Sequence, residues 1–248
     1  MTTRILIDGD ILAYKVCWAV QQEYEWEDGV ITLTCNKSEM ESQIHTMVSN
    51  WLAEFNHDQY IICLSDKNNF RKKILPDYKG NRKGTRKPMG YKLCVKHIQE
   101  NYPTKLIENL EADDLMGILA TDDQFDENII ISIDKDMKTI PCTYYNMDTK
   151  ETLIINEAVA DYWHLRQTLE GDVTDNYKGC PGVGPVKAAN ILASLGVNYE
   201  GWEAVVHAYE KAGLTEEDAL VQARVAKILR TEDYDFEKGE VILWNPKV

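Results

Sequence analysis

Three short apolar runs of this chain each lead into aspartate at the point where the run ends. The runs are RILI (4–7), YIICLS (60–65) and IIISI (129–133), and the acids that follow are Asp8, Asp66 and the pair Asp134 and Asp136. Apolar runs of this length are typical of strands buried inside a parallel sheet, whose functional crevice lies outside the carboxyl ends of the strands. A single aspartate after a strand is more often a turn or N-cap residue, but three repeats favour one shared acidic site.

Further carboxylates stand at predicted turns and at one predicted helix start. Acids in the first turn of a helix also suit the helix dipole, so stabilisation is the simpler reading there. The full set of candidate metal ligands is Asp8, Asp66, Glu111, Asp113, Asp114, Asp134, Asp136, Asp172 and Asp175. So many carboxylates need a counter-charge, and an all-oxygen set favours Mg²⁺ or Mn²⁺ over zinc. Two such ions about 3.5–4 Å apart would activate a water and stabilise the leaving oxygen of a phosphodiester. A solvated acidic face is the alternative, but it does not explain why acids follow buried strands.

A basic segment lies among these acidic stretches. The net charge of the chain is −14, yet residues 67–105 contain 12 Lys or Arg against only two acids. This distribution predicts a phosphate-binding surface beside the acidic one. Lys79 and Arg82 are spaced to reach the scissile phosphate from a mobile loop, and Tyr78 either stacks on a base or is a buried aromatic at the root of that loop. The residues expected to hold the flanking backbone are Arg71, Lys83, Arg86 and Lys87.

The alternation of predicted strands and helices indicates an α/β fold with a mostly parallel central sheet flanked by helices. Predicted helices cover 10–22, 37–55, 91–101, 111–121, 156–170, 186–195, 202–212 and 215–230. Predicted strands cover 4–7, 30–34, 60–65, 104–107, 129–133, 143–147, 152–155 and 241–244. We expect Asp10 to be the N-cap of the first helix.

Composition excludes several protein classes. No apolar run approaches the ~20 residues that span a bilayer, and the six cysteines include no CxxC pair that would indicate zinc or a disulfide framework. The predicted first strand begins almost at the amino terminus, so we expect no signal peptide. We therefore expect a cytoplasmic, monomeric protein with reduced thiols.

A glycine-rich turn, GCPGVGP (179–185), precedes the predicted helix 186–195. Bare backbone N–H groups at a helix start suit phosphate contact, so Gly182 and Gly184 are candidate phosphate contacts. The motif is weak by itself, and it is not a dinucleotide-binding fingerprint because no apolar strand precedes it.

The sequence resembles the flap endonuclease/5′→3′ exonuclease family, and most closely the small 5′-exonucleases of T-odd-type bacteriophages. The matching segments span nearly the whole predicted catalytic region in order: LIDGD (6–10), SDKNNFRKKILPDYKGNRK (65–83), KPMGY (87–91), LEADDLMG (110–117), IISIDKDMKTIP (130–141) and DYWHLRQTLEGDVTDNY (161–177).

The resemblance implies a PIN-like 5′-nuclease domain over residues 1–170, with a basic arch at about 67–105. It further implies a helix–three-turn–helix DNA-binding subdomain over residues 171–248, where Lys187 contacts a phosphate and a K⁺ ion binds. The nine carboxylates fall on the family's metal ligands, and Lys79 and Arg82 on the basic pair at the foot of its arch. The arch here is short, so a more open cleft is expected.

The function expected from these observations is divalent-metal-dependent 5′→3′ exonuclease or flap endonuclease activity. The substrates would be 5′ ends, nicks or flaps of duplex DNA, in phage DNA replication or host DNA degradation, with RNA–DNA hybrids as a further candidate. Two alternatives remain open. A PIN-like ribonuclease shares strand-end aspartates but has less use for a duplex-gripping hairpin at Gly179–Gly184. A non-catalytic DNA-binding protein would use the acids to hold a structural ion.

Overall fold

The computed structural model describes residues 2–193 and 201–246 as alternating strands and helices. The strands are β1 (Thr3–Asp8), β2 (Gln21–Glu25), β3 (Ile31–Cys35), β4 (Tyr60–Cys63), β5 (Thr104–Lys105), β6 (Glu127–Ser132), β7 (Cys142–Asn146), β8 (Thr152–Ile155), β9 (Tyr234–Asp235) and β10 (Glu240–Val241). The α-helices are α1 (Gly9–Val20), α2 (Lys37–Phe55), α3 (Arg71–Ile74), α4 (Tyr91–Asn101), α5 (Ala112–Ala120), α6 (Glu157–Glu170), α7 (Pro185–Ala193), α8 (Gly201–Lys211) and α9 (Glu216–Ala226).

Six strands form the central sheet in the order β5-β4-β1-β6-β7-β8. All neighbouring pairs run parallel except β7 and β8, which are antiparallel. The carboxyl ends of β1, β4 and β6 therefore meet at one edge, as the strand-end aspartates predicted. The predicted α/β class with a mostly parallel sheet is confirmed.

The two faces of the sheet are covered by different helices because successive strand residues point in opposite directions. Ile5 and Ile7 of β1 pack on one side in a cluster with residues of α1, α2 and α4. Leu6 packs on the other side with residues of α5 and α6. Strands buried on both faces need apolar residues at consecutive positions, which is why these runs do not alternate with polar residues.

The first helix begins at Gly9, and its N-cap is Asp8, whose side chain accepts a hydrogen bond from the Ile11 N–H. The expectation that Asp10 caps this helix is therefore wrong. The turn is tight because α1 starts against β4: a Cβ on Gly9 would lie 2.7 Å from the Cys63 carbonyl oxygen. Asp8 is therefore both the last residue of β1 and the N-cap of α1.

A separate two-stranded ribbon follows α1. The strand predicted at 30–34 is present as β3, but it pairs with β2 and not with the edge of the central sheet. The α1 helix ends at Val20, two residues before the predicted end, because the next residue enters β2. The polar sequence QQEYE of β2 carries no apolar alternation, so the strand was not predicted.

The C-terminal helices form their own small core around Leu169, Val205 and Tyr209. The helix predicted from the Asn156 N-cap to Glu170 is confirmed, with the Asn156 side chain accepting from the Val159 N–H. The α7 helix is described to Ala193, so the predicted end of this helix at residue 195 lies outside the described residues. The predicted strand 241–244 is shorter, since only Glu240–Val241 pairs with Tyr234–Asp235.

The segment after α9 returns to the first part of the chain. A Cβ on Gly117 of α5 would lie 2.3 Å from the Leu229 carbonyl oxygen, so this contact requires glycine.

No helix within residues 2–193 and 201–246 combines the length and apolarity needed to cross a membrane.

Candidate active site

Two strand ends place Asp8 and Asp134 beside a shared serine. Asp8 is the last residue of β1, and Ser132 is the last residue of the adjacent β6. The Ser132 hydroxyl donates to Asp8 Oδ2 at 2.6 Å and accepts from the Asp134 N–H at 3.1 Å. Ser132 is fully buried, and it therefore fixes the spacing between the two acidic positions.

Two more carboxylates join this position from other elements: Asp113 from the first turn of α5 and Asp136 from the 3₁₀ turn Lys135–Thr139. Burial, followed by neighbouring negative charge, raises the pKa of both Asp8 and Asp136 to about 7. Burial together with Asp134 and Asp8 holds the pKa of Asp113 well above its usual range, and burial raises that of Asp134. Asp8, Asp113, Asp134 and Asp136, here called the acid quartet, thus repel one another in a poorly solvated pocket.

The donor set of the acid quartet fits a hard divalent cation, because all of its ligand atoms are carboxylate oxygens and none belongs to His or Cys. Raised pKa values are the signature of carboxylates held together without enough positive charge. Within the described part of the chain, however, no three His, Cys, Asp or Glu side chains are arranged closely enough to hold a metal ion. A Mg²⁺ ion needs only one or two protein carboxylates, because waters and substrate phosphates commonly supply its other ligands.

Two cationic side chains form ion pairs with the acids next to the quartet. Lys79 Nζ forms ion pairs with Glu111 and, at 3.5 Å, with Asp175, and Arg82 pairs with Asp175 from the loop surface. Burial opposes the ionisation of Glu111, but the charges of Lys79 and Arg71 outweigh it and lower the pKa of Glu111 to about 2. Lys79 and Arg82, the two residues predicted to contact a scissile phosphate, are thus held against the acidic edge.

Tyr78 is 3% exposed, and its hydroxyl lies 3.0 Å from Glu111 Oε2 and 2.8 Å from Asp175 Oδ2, so these two acceptors share its one proton. Of the two roles predicted for Tyr78, base stacking is wrong for this structure because the ring is enclosed. The ring instead packs with Tyr177, Val225 and Ala226 at the root of the loop.

Arg71 and Asp114 correct two further expectations. The Arg71 guanidinium, which is 2% exposed, pairs with both Asp114 carboxylate oxygens at 2.7 Å and also donates to the carbonyls of Val225 and Lys227. Asp114 is 0% exposed and is saturated by this pair. Arg71 is therefore not available to DNA, nor Asp114 to a metal ion; together they join α3 and α5 to the end of α9.

Asp66 and Asp172 are engaged at the margins of the site. Asp66 accepts from the backbone N–H groups of Asn68 and Asn109, which lower its pKa and tie the loop after β4 to the segment before α5. Asp172 forms an ion pair with Lys135 at 2.9 Å. Burial raises the pKa of Asp172, but the Lys135 charge outweighs it, so the net shift is downward. The metal-ligand role of both residues stays a prediction.

The residues predicted to contact the DNA backbone lie on two exposed surfaces. Lys83, Arg86 and Lys87 are exposed in the connection between α3 and α4. Gly182 and Gly184 are exposed before α7, and a Cβ on either would meet nothing within 4 Å. Lys187 in the first turns of α7 is exposed and donates to the Gly182 carbonyl at 3.3 Å. The glycine turn is thus open to a flat surface such as a phosphate backbone.

A family model described as 5′-3′ exonuclease, N-terminal resolvase-like domain, matches residues 3–164. The chain belongs to the 5′–3′ exonuclease family. It is consequently a nuclease, and the matched range contains the acid quartet, Lys79 and Arg82. Asp172, Asp175 and the glycine turn lie beyond that range.

Relatives extend the match over almost the entire chain. The exodeoxyribonuclease of Enterobacteria phage T3 and the exonuclease of Escherichia phage T7 are each 29% identical, covering 98% of this chain and 93% of the relative. Among solved structures, the T5 D15 protein co-crystallised with metal ions superposes with a TM-score of 0.69 at 16% identity, over 91% of this chain and 89% of that one. Both phage relatives are exonucleases, and the T3 relative is an exodeoxyribonuclease.

Sequence reasoning about this 5′–3′ exonuclease missed Ser132 and Gln167. Ser132 is the only polar residue in the run IIISI, which was the available signal that it serves the site. Gln167, on α6, donates through Nε2 to Asp136. It lies 31 residues from Asp136, and nothing in the sequence pairs the two positions.

Proposed function

We propose that this nuclease hydrolyses phosphodiesters at 5′ ends, nicks or flaps of duplex DNA with the help of two or more Mg²⁺ or Mn²⁺ ions. The observation that carries the proposal is the acid quartet, whose mutual repulsion at the carboxyl ends of β1 and β6 calls for divalent cations. The T5 D15 protein, of the same fold, was crystallised with metal ions and in a complex with DNA.

The acid quartet would hold the metal ions, with Glu111 and Asp175 as neighbours that become available when Lys79 and Arg82 leave them. Such ions would neutralise the carboxylate charge and lower the pKa of a bound water, so that a hydroxide nucleophile is available at neutral pH. The present ion pairs keep Lys79 and Arg82 close to the acids. When a phosphate enters, it offers these cations a new anionic partner, and charge-assisted hydrogen bonds from Lys79 and Arg82 stabilise the negative charge that develops on it.

Two surfaces would position the duplex. The exposed cations Lys83, Arg86 and Lys87 would bind the strand near the cleft, and the turn with Gly182 and Gly184 would bind the phosphate backbone away from it. We accordingly propose a catalytic part over residues 1–170 and a helix–three-turn–helix DNA-binding part over residues 171–248. The K⁺ ion at the latter, the monomeric state, the cytoplasmic location and activity on RNA–DNA hybrids stay predictions.

Cleavage of 5′-labelled nicked, blunt-ended and flapped duplexes tests the proposal. Short labelled products are expected with Mg²⁺ and none with EDTA, and their lengths distinguish cutting at ends from cutting at flap junctions. Products that form equally in EDTA would contradict the metal requirement. Duplex binding without cleavage under either Mg²⁺ or Mn²⁺ would contradict the proposed activity.

A further inference from the structure

Gln167 is a buried amide at the edge of the acid quartet. It belongs to the last turns of α6 and is 8% exposed. Its Nε2 donates to Asp136 Oδ1, while its Oε1 is buried and has no hydrogen-bond partner among the described residues. The amide nitrogen thus binds a carboxylate of the site, and the amide oxygen is an unpaired acceptor.

The orientation of this amide follows from its partner. In the structure the NH₂ group faces Asp136 and donates to its Oδ1, because an amide nitrogen only donates hydrogen bonds. A buried acceptor without a partner destabilises the folded state, and an apolar side chain of similar length has no such acceptor. The unpaired Oε1 thus offsets part of what the hydrogen bond to Asp136 contributes to folding, which points to a role of Gln167 outside folding.

The helix that carries Gln167 is firmly held. The next residue, Thr168, accepts through its carbonyl from the Tyr209 hydroxyl at 2.7 Å, and the His164 ring lies 2.9 Å from the Ala223 carbonyl oxygen. Asp136, in contrast, sits on a short 3₁₀ turn beside three repelling carboxylates. A rigid donor on α6 is placed to hold this carboxylate in one orientation.

We propose that Gln167 is a positioning residue of the nuclease. Nε2 orients the Asp136 carboxylate for metal binding. This inference rests on the proposed metal-dependent function. Partners that orient metal-binding carboxylates matter to the affinity of the site nearly as much as the ligands themselves.

The test compares Gln167→Met with Gln222→Met as a matched control. Gln222 is a partly buried glutamine whose Oε1 accepts from the Gly179 N–H at 3.0 Å, so its side chain contacts a backbone group and not a carboxylate. Mn²⁺ binding to the free protein is measured by electron paramagnetic resonance, and single-turnover cleavage of a flapped duplex at saturating enzyme is measured in parallel. We expect Gln167→Met to weaken Mn²⁺ binding or slow cleavage by ~10–100-fold, and Gln222→Met to leave Mn²⁺ binding unchanged.

A second measurement does not depend on how the variant folds. In wild-type protein, the side-chain amide NMR signal of Gln167 should shift when Mg²⁺ is added, while that of Gln222 should not. Mn²⁺ affinity and cleavage within twofold of wild type in Gln167→Met, or a Gln167 amide signal indifferent to Mg²⁺, would overturn the positioning role. If wild-type protein itself neither binds Mn²⁺ nor cleaves DNA, the proposed function is what fails.

Discussion

Replacing Arg71 by methionine tests whether this cation is structural or contacts DNA. In the structure, its guanidinium donates to both Asp114 oxygens at 2.7 Å, to the Val225 carbonyl at 2.8 Å and to the Lys227 carbonyl at 2.6 Å. Removing it leaves a fully buried carboxylate unpaired and takes a donor from two carbonyls. Breaking a buried ion pair on one side costs about 3–5 kcal/mol.

The expected loss is large enough to measure by urea unfolding followed by circular dichroism. For a chain of this size, about 3–5 kcal/mol corresponds to a fall in Tm of roughly 6–20 °C. Lys72→Met is the matched control, because Lys72 is an exposed neighbour on the same short helix and its loss should stay within about 0.5 kcal/mol. Adding Asp114→Leu to Arg71→Met should recover part of the loss, since no charge is then left buried.

A different outcome would refute this reasoning. If Arg71→Met unfolds like wild type but binds duplex DNA several-fold more weakly, Arg71 is a backbone contact and the buried pair with Asp114 is not its role in solution. If the double variant is destabilised by the full sum of the single variants, Arg71 and Asp114 act independently and the ion pair does not stabilise the fold.

Three further predictions concern catalysis, DNA binding and pH dependence. Lys79→Ala should slow single-turnover cleavage by more than it weakens duplex binding; a change in affinity alone would make Lys79 an ordinary phosphate anchor. Gly184→Ala should leave unfolding unchanged, since a Cβ there meets nothing within 4 Å, but should weaken duplex binding; unchanged affinity would place the DNA elsewhere. His164 is buried, which lowers its pKa from 6.5 to about 3, so the unfolded state takes up the proton first and stability falls as pH drops below 6.5. Between pH 7 and pH 5, wild type should therefore lose about 2 kcal/mol more than His164→Gln in urea unfolding; an equal loss in both would exclude His164 as the cause.

Much of the fold was predictable because its signals are local. Buried parallel strands must be apolar at consecutive positions, so β1, β4 and β6 and the acids that end them are visible in the sequence. The helices α2, α4 and α6 carry clear periodicity or N-caps and match the predicted bounds. The ribbon strand β2 has no such pattern, since both of its faces are largely exposed and nothing selects apolar residues there.

The candidate site was predictable as a set of acids but not as a set of pairings. Position in sequence cannot show that Arg71 reaches Asp114 and the end of α9, 154 residues further along the chain at Val225. The sequence therefore grouped Asp114 with the metal ligands and Arg71 with the DNA contacts, although burial and charge pairing remove both. Gln167 escaped notice for the same reason, because its partner Asp136 is reached only through the packing of α6 on the 3₁₀ turn.

The most direct test of the account is single-turnover cleavage of a 5′-flapped duplex with Mg²⁺ by Asp134→Asn, beside wild type and an Asp123→Asn control. Asp123 is an exposed acid outside the quartet, so its loss should leave the rate unchanged. Asp134→Asn should abolish cleavage while the duplex still binds, because the quartet loses a charge needed to hold divalent cations. Cleavage by Asp134→Asn at the wild-type rate would contradict the assignment of the acid quartet as the metal-dependent catalytic centre.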